Sequence, residues 1–553
     1  MKPLSDINQV LHYHEQSKHH TQQYAPGPGF LDWDSQPDPF RTWHGSSRIA
    51  LPLIYESESP DYHGIYQQPP QLTPWNLGHL SQFLELAMGL SAWKVHGPER
   101  WALRNNPSSG NLHPTELYIL LWRPISPNLP AGLFHYHPYH HALEQRAELS
   151  PASLATLNEL YPDAHAALGF SSIIWREEWK YGSRAYRYCQ LDIGHALGSC
   201  RYAAANFGWP LQLIPTPSDQ DLAALLGLDR DQDFIDSEPE LPECLALLGH
   251  HEQTCFDWST ITYCHWQGQA SKISQERIHW PQIKQLLPAI QKPRQLEHID
   301  YLPPAQIEGS SSASTYPLAQ LIRHRRSAQR MDPDSEIPLE DFCRLLSHSQ
   351  PSRQSPPFDA FTFEPAIDLL LFVHAVTGLA PGMYVFPRQE PSATTLLDVL
   401  RNTDITVEPV AGIDLPLFQI GPSRNVRKDI GRLCCHQGIA VHGAFAVSML
   451  ANIQTVLTHN GAWSWRRLMW EAGLIGQLLY LEAEASQLSG TGIGCFLDDE
   501  VLQTIGLTSQ QNHGYQPLYH FTAGKAKIDT RIISEPAYAH LPTTPSSTGG
   551  PQR

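Results

Sequence analysis

The two halves of this chain repeat each other weakly, and this repeat limits the fold more than any other feature of the sequence. LPAGLFHY from Leu129 resembles LAPGMYVF from Leu379, at an offset of 250. A second match, at an offset of 282, pairs Arg184 with Arg466, Tyr188 with Trp470, Gly194 with Gly476 and Gly208 with Gly490. Chance similarity of two helices is the alternative. Agreement of aromatic, arginine and glycine positions at one offset favours two copies of one fold, related like the subunits of a homodimer.

A serine-rich segment separates the two copies. GSSSAST at 309–315 follows a stretch rich in proline and glutamine that starts near Ile278. The chain of 553 residues has room for two to four domains. We expect a first domain at 1–270, a linker at 271–315, a second domain at 316–535 and a disordered tail at 536–553, because PTTPSSTGGPQR has no apolar residue.

Charge and cysteine usage exclude several classes of protein. With 38 Lys and Arg against 55 Asp and Glu, the net charge of −17 argues against nucleic-acid binding, which needs cations to neutralise phosphates. No run of about 18 apolar residues exists, so we expect no membrane span. Nine cysteines without a C-x-x-C pair indicate free thiols in a reducing compartment, and the first residues lack an apolar signal segment. We therefore expect a cytoplasmic protein.

The local patterns indicate a mixture of strands and helices. The short apolar runs Glu116–Trp122 and Ile367–Val376 are typical of buried strands. The segment Leu474–Leu488 has apolar residues at helical spacing and on nearly all sides, which predicts a buried helix. Gly473 and Gly476 each cost this helix about 1 kcal/mol relative to alanine. Close approach of another backbone or of a ligand would explain them, and so would tolerance of a weak helix.

Four arginines lie within eight residues, from Arg323 to Arg330, in an otherwise acidic chain. Guanidinium groups bind phosphate through paired hydrogen bonds, and a neighbouring hydroxyl adds a short one. Arg325, Arg326 and Ser327 therefore suit a phosphate monoester. A solvated basic turn is the alternative, and it is the commoner role of such runs.

Two loops contain residues that would let a ligand approach closely. Asn105–Pro114 (NNPSSGNLHP) combines hydroxyls, amides and a glycine just before a predicted strand, so it could contact the edge of a flat polar ring. Gly490–Asp499 (GTGIGCFLDD) could turn backbone N–H groups towards a ligand. It lacks the G-x-G-x-x-G spacing and follows a predicted helix, so it is not a Rossmann loop. An ordinary turn is the alternative for both.

Lys180 and Tyr181 are candidates for proton transfer, because burial can tune the proton affinity of both groups. A plain helix start is the alternative.

The histidines of FHYHPYHH (His135 to His141) and of the segment His14–His20 could ligate a metal, but 29 histidines make such clusters common by chance. We expect no metal site. The chain has no G-x-S-x-G, H-E-x-x-H or P-loop motif.

Taken together and in their order along the chain, five of these segments resemble the nitroreductase-like flavoproteins, and more closely SagB-type dehydrogenases in a tandem form. The resemblance extends from about Tyr13 to Tyr538. It rests on RRSAQ from Arg325, PSSGNLHP from Pro107, WKYGSRAYRY from Trp179, WEAGLIGQLLYLEAEA from Trp470 and GTGIGCFLDD from Gly490. It implies an α+β fold in which two nitroreductase-like domains form an intramolecular pseudo-dimer and bind FMN at their interface.

The resemblance also implies which residues contact FMN. The second half would supply Arg325, Arg326, Ser327, Gln329, Gly492, Gly494 and Lys525, and the first half would supply Pro107, Ser108, Ser109, Gly110 and Asn111. Many relatives carry lysine or arginine where this chain has Gln329. The arginine motif occurs only in the second half and the PSSGN loop only in the first. We therefore expect one complete FMN site per chain and a decayed second site.

The implied function is that of an FMN-dependent oxidoreductase. The pair Lys180–Tyr181 resembles the Lys-Tyr pair of azoline dehydrogenases, which handles a proton while hydride passes to the flavin. The expected substrate is a small molecule or a peptide, such as an azoline, with NAD(P)H or O2 as a candidate electron partner. The alternatives are an NAD(P)H-dependent nitroreductase or quinone reductase, and a scaffold protein that has lost the flavin.

Overall fold

Two antiparallel sheets, one from each half of the chain, form the frame of the protein. The computed structural model describes residues 5–55, 58–68, 70–251, 255–295, 316–388, 396–421, 425–507 and 514–541. None of the helices in these ranges is long and apolar enough to cross a membrane.

The helices and strands of the first half alternate along the chain. The helices are α1 (Asp6–Gln16), α2 (Gly64–Gln67), α3 (Leu77–Met88), α4 (Pro151–Leu160), α5 (Trp175–Tyr181), α6 (Ala185–Ala205), α7 (Asp219–Leu226) and α8 (Pro281–Leu286). The strands are β1 (Trp43–His44), β2 (Arg48–Ala50), β3 (Leu90–His96), β4 (Glu99–Arg104), β5 (Thr115–Leu121), β6 (Gly132–His137), β7 (Ala142–Leu149), β8 (Ala164–Ser172), β9 (Leu211–Leu213), β10 (Leu241–Gly249), β11 (Tyr263–Trp266) and β12 (Gln269–Ala270).

The second half follows the same plan. The helices are α9 (Leu318–His324), α10 (Leu339–His348), α11 (Leu396–Arg401), α12 (Val426–Leu433), α13 (Gly438–His442), α14 (Ile453–Asn460), α15 (Ser464–Ala485) and α16 (Asp498–Thr504). The strands are β13 (Ile337–Pro338), β14 (Ile367–Val373), β15 (Val376–Thr377), β16 (Gly382–Phe386), β17 (Val407–Pro409), β18 (Phe418–Ile420), β19 (Phe445–Asn452), β20 (Ser489–Ile493), β21 (Tyr515–Gly524) and β22 (Ile533–Glu535).

The two large sheets share one strand order. The first runs β11-β7-β6-β5-β8-β10-β9, with β2 added to β7, and the second runs β17-β18-β16-β14-β19-β21-β20. The five strands β6-β5-β8-β10-β9 therefore correspond to β16-β14-β19-β21-β20. This agreement confirms the duplicated α+β fold that the sequence repeat predicts. The predicted strands at Glu116–Trp122 and Ile367–Val376 are confirmed as β5 and β14.

One apolar core joins the two halves, because the central strands are buried on both faces. In β5, Leu117 and Ile119 face this shared core, whereas Tyr118 faces an outer core of the first half. In β14, Leu369 faces the same shared core and Leu370 faces an outer core of the second half. Near-continuous apolar strands are what burial on both faces requires. The shared core fixes the relative position of the two halves, and any site at their interface is held by it.

The long helices α6 and α15 cross at the centre of this shared core. A Cβ atom on Gly194 would lie 2.1 Å from the carbonyl oxygen of Trp470, and one on Gly473 would lie 2.1 Å from that of Leu191. Close backbone approach, one of the two explanations that the sequence left open, therefore accounts for Gly473. At Gly476 a Cβ atom would instead lie 2.7 Å from the His195 ring.

The contact between Gly194 and Gly473 pairs residues of α6 and α15 that are 279 positions apart. The sequence match instead pairs residues 282 positions apart. The Nη1 atom of Arg187 contacts Oδ1 of Asp498, the first residue of α16, at 2.8 Å. In the other half, Nη1 of Arg466 contacts Oδ2 of Asp219, the first residue of α7, at 2.6 Å. Arg184 also contacts Asp498, at 3.0 Å, so the glycine contacts decide the offset, and at 279 Arg466 corresponds to Arg187. The sequence alignment is one helical turn out, because residues three apart share a helix face.

Parts of the expected linker and tail are packed against the domains. Within 271–315, helix α8 buries Ile283 and Leu286, while 296–315, which contain the serine-rich segment, lie outside the described residues. In the expected tail, the Tyr538 hydroxyl accepts a hydrogen bond of 2.9 Å from the Leu90 N–H, and Tyr538 is buried. The ring of Tyr538 thus anchors the segment 536–541 against β3. The residues from Pro542 onward lie outside the described part.

Candidate functional site

A cavity of about 810 Å3 opens between the two halves, within the usual size range for cofactor and substrate sites. It is lined by every residue that the resemblance implies for cofactor contact: Pro107, Ser108, Ser109, Gly110, Asn111, Arg325, Arg326, Ser327, Gln329, Gly492, Gly494 and Lys525. Tyr181 also lines the cavity. The fold thus brings together residues as far apart in the chain as Pro107 and Lys525, and each half supplies a different part of the wall.

Arg325 is a buried cation with an unsatisfied donor at one end of the cavity. It follows the last residue of α9 and is 3% exposed. Its Nε donates to the carbonyl oxygen of Asn105 at 3.2 Å and its Nη2 to that of Arg104 at 3.3 Å. Nη1 is buried and has no hydrogen-bond partner in the described part of the chain. Since burial of an unpaired charge is costly, burial lowers the pKa of Arg325, and an anion at this place would satisfy Nη1.

The same end of the cavity carries further positive charge. Arg326 donates from Nη2 to the Ser91 carbonyl oxygen at 2.8 Å, and burial together with Arg325 lowers its pKa to about 10. Lys525 and Lys527 lie nearby in the lining. Among the described residues, neither Arg325 nor Arg326 forms an ion pair with a carboxylate. Burial raises the pKa of the nearby Glu484 to about 7, so at neutral pH its carboxyl is only partly ionised.

Tyr480 connects the arginine motif to the glycine segment. Its hydroxyl lies 2.9 Å from the Ser327 hydroxyl and accepts a hydrogen bond of 2.9 Å from the Gly492 N–H. The Arg325 guanidinium lies 4.9 Å from the centre of the Tyr480 ring. Sequence reasoning missed Tyr480 as a site residue, although it lies in the predicted helix, because its role depends on which face of α15 meets the cavity.

The glycine segment forms strand β20 rather than a turn. A Cβ atom on Gly492 would lie 1.8 Å from the Tyr519 hydroxyl, and one on Gly494 would lie 2.1 Å from the Tyr188 ring. The glycines are therefore needed for the close packing of two aromatic side chains. Because the Tyr480 hydroxyl accepts the hydrogen bond of the Gly492 N–H, this N–H does not face a ligand as the sequence suggested.

The PSSGN loop is held in a left-handed conformation by its own side chains. Gly110 and Asn111 have φ of 59° and 60°. The Ser109 N–H and hydroxyl both donate to the Asp192 carboxylate at 3.1 Å, and the Asn111 amide donates to the Ala102 carbonyl oxygen at 2.8 Å. Asp192 is buried, which raises its pKa to about 7. It fixes the loop at the cavity and was not found from the sequence.

Lys180 and Tyr181 end helix α5 beside this loop. A Cβ atom on Gly110 would lie 2.5 Å from the Tyr181 hydroxyl and 3.1 Å from Lys180 Nζ. Tyr181 lines the cavity, whereas Lys180 is not one of the lining residues. Burial lowers the pKa of Lys180, against the effect of Glu177, and raises that of Tyr181. The lysine is thus closer to its neutral form than a surface lysine, and the tyrosine keeps its proton.

His195 and Tyr519 form a neutral polar pair deeper in the cavity. His195 Nε2 lies 3.0 Å from the Tyr519 hydroxyl, and His195 Nδ1 lies 3.4 Å from the Gln477 side-chain oxygen. Burial lowers the pKa of His195 to about 3, so the ring is uncharged at neutral pH. Neither residue was found from the sequence, because the fold alone brings α6 and β21 together here.

The pseudo-two-fold axis relates the cavity to a second place in the molecule. An ion pair lies at that place. At an offset of 279, Arg201 of α6 corresponds to Tyr480, and a short turn at Phe358–Ala360 follows the plan of the turn at Ser109–Asn111. The Arg201 guanidinium forms two hydrogen bonds with the Asp359 carboxylate, at 2.8 Å and 2.7 Å. A salt bridge therefore lies at the place that corresponds to Tyr480 and the PSSGN loop.

The histidine clusters have structural partners. His135 lies between two carboxylates, with Nε2 2.9 Å from Glu116 and Nδ1 3.1 Å from Glu144. In the described part of the chain, one group of potential metal ligands gathers within 4.8 Å, consisting of Glu15, His20 and Asp499. It lies at the surface, where acidic groups are common without a metal.

The same fold occurs in a provisionally assigned nitroreductase from Anabaena variabilis. That crystal structure matches with a TM-score of 0.68 and 22% identity, over 94% of this chain and 99% of that one. A provisionally assigned nitroreductase from Ralstonia eutropha matches with a TM-score of 0.28 and 19% identity, over 42% and 100% of the two chains. The E. coli microcin synthetase McbBCD complex with truncated pro-MccB17 matches with a TM-score of 0.27 and 19% identity, over 36% and 76%.

No protein-family model and no curated protein sequence matches the chain. The Anabaena match covers nearly all of both chains, so it shows that the protein has the nitroreductase-type α+β fold over both halves.

Proposed function

We propose that this protein is an FMN-dependent oxidoreductase that binds one FMN per chain in the cavity between its halves. The observation that carries the proposal is the unsatisfied Arg325 guanidinium, buried at one end of an 810 Å3 cavity lined by both halves. A phosphate monoester would supply the missing acceptor. The nitroreductase-type fold supports this choice of ligand.

The residues of the cavity suit the two ends of FMN. Arg325, Arg326, Ser327 and Lys525 would hold the phosphate, and Gln329 lies beside them in the lining. The loop Pro107–Asn111 would lie along the ring system, with Gly492 and Gly494 on the opposite half. The closed, ion-paired place at Arg201 and Asp359 supports one FMN rather than two.

Bound FMN supplies a centre that accepts or gives a hydride, and the protein supplies position and proton transfer. Lys180, with its lowered pKa, can take a proton from a substrate as a neutral amine. Tyr181, which keeps its proton, can donate a hydrogen bond into the cavity. Lys180 is the proposed base, and Tyr181, which lines the cavity next to it, is the proposed orienting residue.

The proposed subtype is a SagB-type dehydrogenase, whose substrate is a small molecule or a peptide carrying an azoline-like ring. The adjacent lysine and tyrosine support this subtype, since a reaction that removes a hydride and a proton from neighbouring atoms needs a base. NAD(P)H and O2 are candidate electron partners.

The test is a spectrum of the purified chain followed by reduction under anaerobic conditions. We expect a flavin spectrum, and bleaching of it by an azoline-type substrate. Bleaching by NADH or NADPH alone, with reoxidation by a nitro compound or a quinone, would favour a nitroreductase instead. A chain that holds no flavin after incubation with excess FMN would point to a scaffold protein.

A further inference from the structure

Cys495 lies in the wall of the cavity and is in contact with a second cysteine, Cys435, and the proposed flavin chemistry uses neither of them. The Sγ atoms of Cys435 and Cys495 are 2.7 Å apart. Cys495 follows Gly494 and lines the cavity, while Cys435 lies just beyond α12 in a left-handed conformation, with φ of 53°. Both side chains are partly exposed and both are free thiols. A small molecule that enters the cavity can therefore reach Cys495, and Cys435 lies directly behind the contact between the two sulfurs.

The surroundings make the two thiols unequal. The Ala25 N–H donates to His19 Nδ1 at 2.9 Å, which leaves the proton of a neutral His19 ring on Nε2. The Arg184 guanidinium is close by, donating to the Gly494 carbonyl oxygen at 3.0 Å. Hydrogen bonds from Cys435 and His19 and the charge of Arg184 lower the pKa of Cys495, against the effect of burial. The pKa of Cys435 is raised instead, mainly by its hydrogen bond with Cys495.

The geometry fits a dithiol better than a metal site. Two thiolates that bind one tetrahedral zinc ion stand about 3.8 Å apart, as zinc–sulfur bonds of about 2.3 Å require. The sulfurs of Cys435 and Cys495 are closer than that. Among the described residues, the group of potential metal ligands at Glu15, His20 and Asp499 contains neither cysteine.

We propose that Cys435 and Cys495 are a redox-active dithiol that exchanges with low-molecular-weight disulfides in the cavity. Cys495, as thiolate, attacks one sulfur of the disulfide, whose S–S bond breaks and releases one thiolate. Cys435 gives its proton to that leaving thiolate and attacks Cys495 Sγ, which releases the second thiolate. The protein gains one disulfide and loses two electrons, and the small disulfide gains both and becomes two thiol-level products.

The contact between the two sulfurs favours the second step. Because Cys435 already lies against Cys495, closure of the protein disulfide is intramolecular and needs little chain movement. Six of the other seven cysteines lack one or both features of this pair: Cys189, Cys200, Cys244 and Cys434 are buried, and Cys264 and Cys343 have no hydrogen-bonded cysteine partner among the described residues. The dithiol chemistry does not depend on bound flavin.

The test uses the full chain, fully reduced and then treated with oxidised glutathione. Tryptic peptides prepared without reductant are assigned by mass spectrometry. We expect a peptide pair linked through Cys435 and Cys495, with the loss of two titratable thiols per chain. Fragmentation separates Cys435 from its neighbour Cys434. A wild-type chain that shows no such link, or a link through Cys434, overturns the proposal without the need for any variant.

Two variants establish the order of attack. In Cys435→Ser, glutathione should remain on Cys495 as a stable adduct, because the second thiol is missing. In Cys495→Ser, the adduct on Cys435 should form at least tenfold more slowly, and the exposed control Cys264→Ser should behave like the wild type. Equal rates at the two cysteines would contradict the assigned roles. FMN content measured on the same samples separates this proposal from the flavin proposal, since the exchange should occur with or without FMN.

Discussion

Gly194 and Gly473 meet where α6 and α15 cross, so closely that a Cβ atom on either one would lie less than 3 Å from the Cα atom of the other. Each glycine also lies against a backbone carbonyl of the opposite helix. The two contacts are reciprocal, so they mark the pseudo-two-fold axis of the protein.

The crossing gives the first prediction. In Gly473→Ala, the added methyl would lie 2.1 Å from the Leu191 carbonyl oxygen, so the helices must separate. We expect a loss of about 1–3 kcal/mol in the free energy of unfolding, despite the better helix propensity of alanine. Urea denaturation measures it. The control is Gly438→Ala, where a Cβ atom meets nothing within 4 Å. Equal stability of the two variants would show that the crossing tolerates side chains.

Arg325→Gln tests the phosphate end of the cavity. The substitution removes a buried guanidinium that has one unsatisfied nitrogen. We expect FMN affinity to fall at least tenfold, while the flavin-free chain keeps or gains thermal stability because an unpaired charge leaves the interior. Fluorescence titration with FMN and thermal melts of the apo chain measure both effects. Arg401→Gln at the surface is the control. A destabilised apo chain with unchanged FMN affinity would make Arg325 structural.

Lys180→Ala tests the proposed base. Since Lys180 stands outside the cavity lining, we expect FMN content to stay at the wild-type value and turnover to fall by a factor of about 100 or more. Wild-type activity should rise with pH, with its midpoint below the ordinary lysine pKa, because the neutral amine is the active form and burial favours it. Lys284→Ala in α8 is the control. Loss of FMN together with activity would instead mark Lys180 as structural.

Asp192 predicts how stability depends on pH. Burial raises the pKa of its carboxyl from 3.8 to about 7, so between these values the folded chain binds a proton that the unfolded chain has lost. This proton stabilises the folded chain fully below about pH 4. Its contribution to the free energy of unfolding, about 4 kcal/mol at most, is lost as the pH rises from there through about 7. Urea midpoints of the wild type should therefore fall relative to Asp192→Asn over this range. A constant difference between the two would show that Asp192 titrates normally.

Local patterns were enough to predict much of the fold. The apolar runs of β5 and β14 and the buried helix α15 were found from the sequence because burial on all sides leaves few polar residues. The helical alignment was one turn out, since residues three apart share a face and only the contacts of Gly194 and Gly473 distinguish the offsets. The packed start of the tail was missed because one residue, Tyr538, anchors it.

The candidate site likewise contains residues that the sequence indicates and residues that only the fold brings to the cavity. The arginine motif and the PSSGN loop stand out as local clusters, so they could be found in the sequence. Tyr480, His195 and Tyr519 could not, because each sits on a helix or strand among ordinary core residues and faces the cavity only through the packing of the two halves. The strand at Ser489–Ile493 was also missed, since its glycines, Gly490 and Gly492, make room for the rings of Phe521 and Tyr519.

The measurement that tests the account most directly is the amount of FMN bound per purified chain. Absorbance of the protein, and of the flavin released when the protein is denatured, gives the ratio. One open cavity at Arg325 and one closed place at Arg201 predict a value near one. A value near two would show that the ion pair of Arg201 and Asp359 opens to bind flavin. A value near zero, after incubation with excess FMN, would contradict the proposed function.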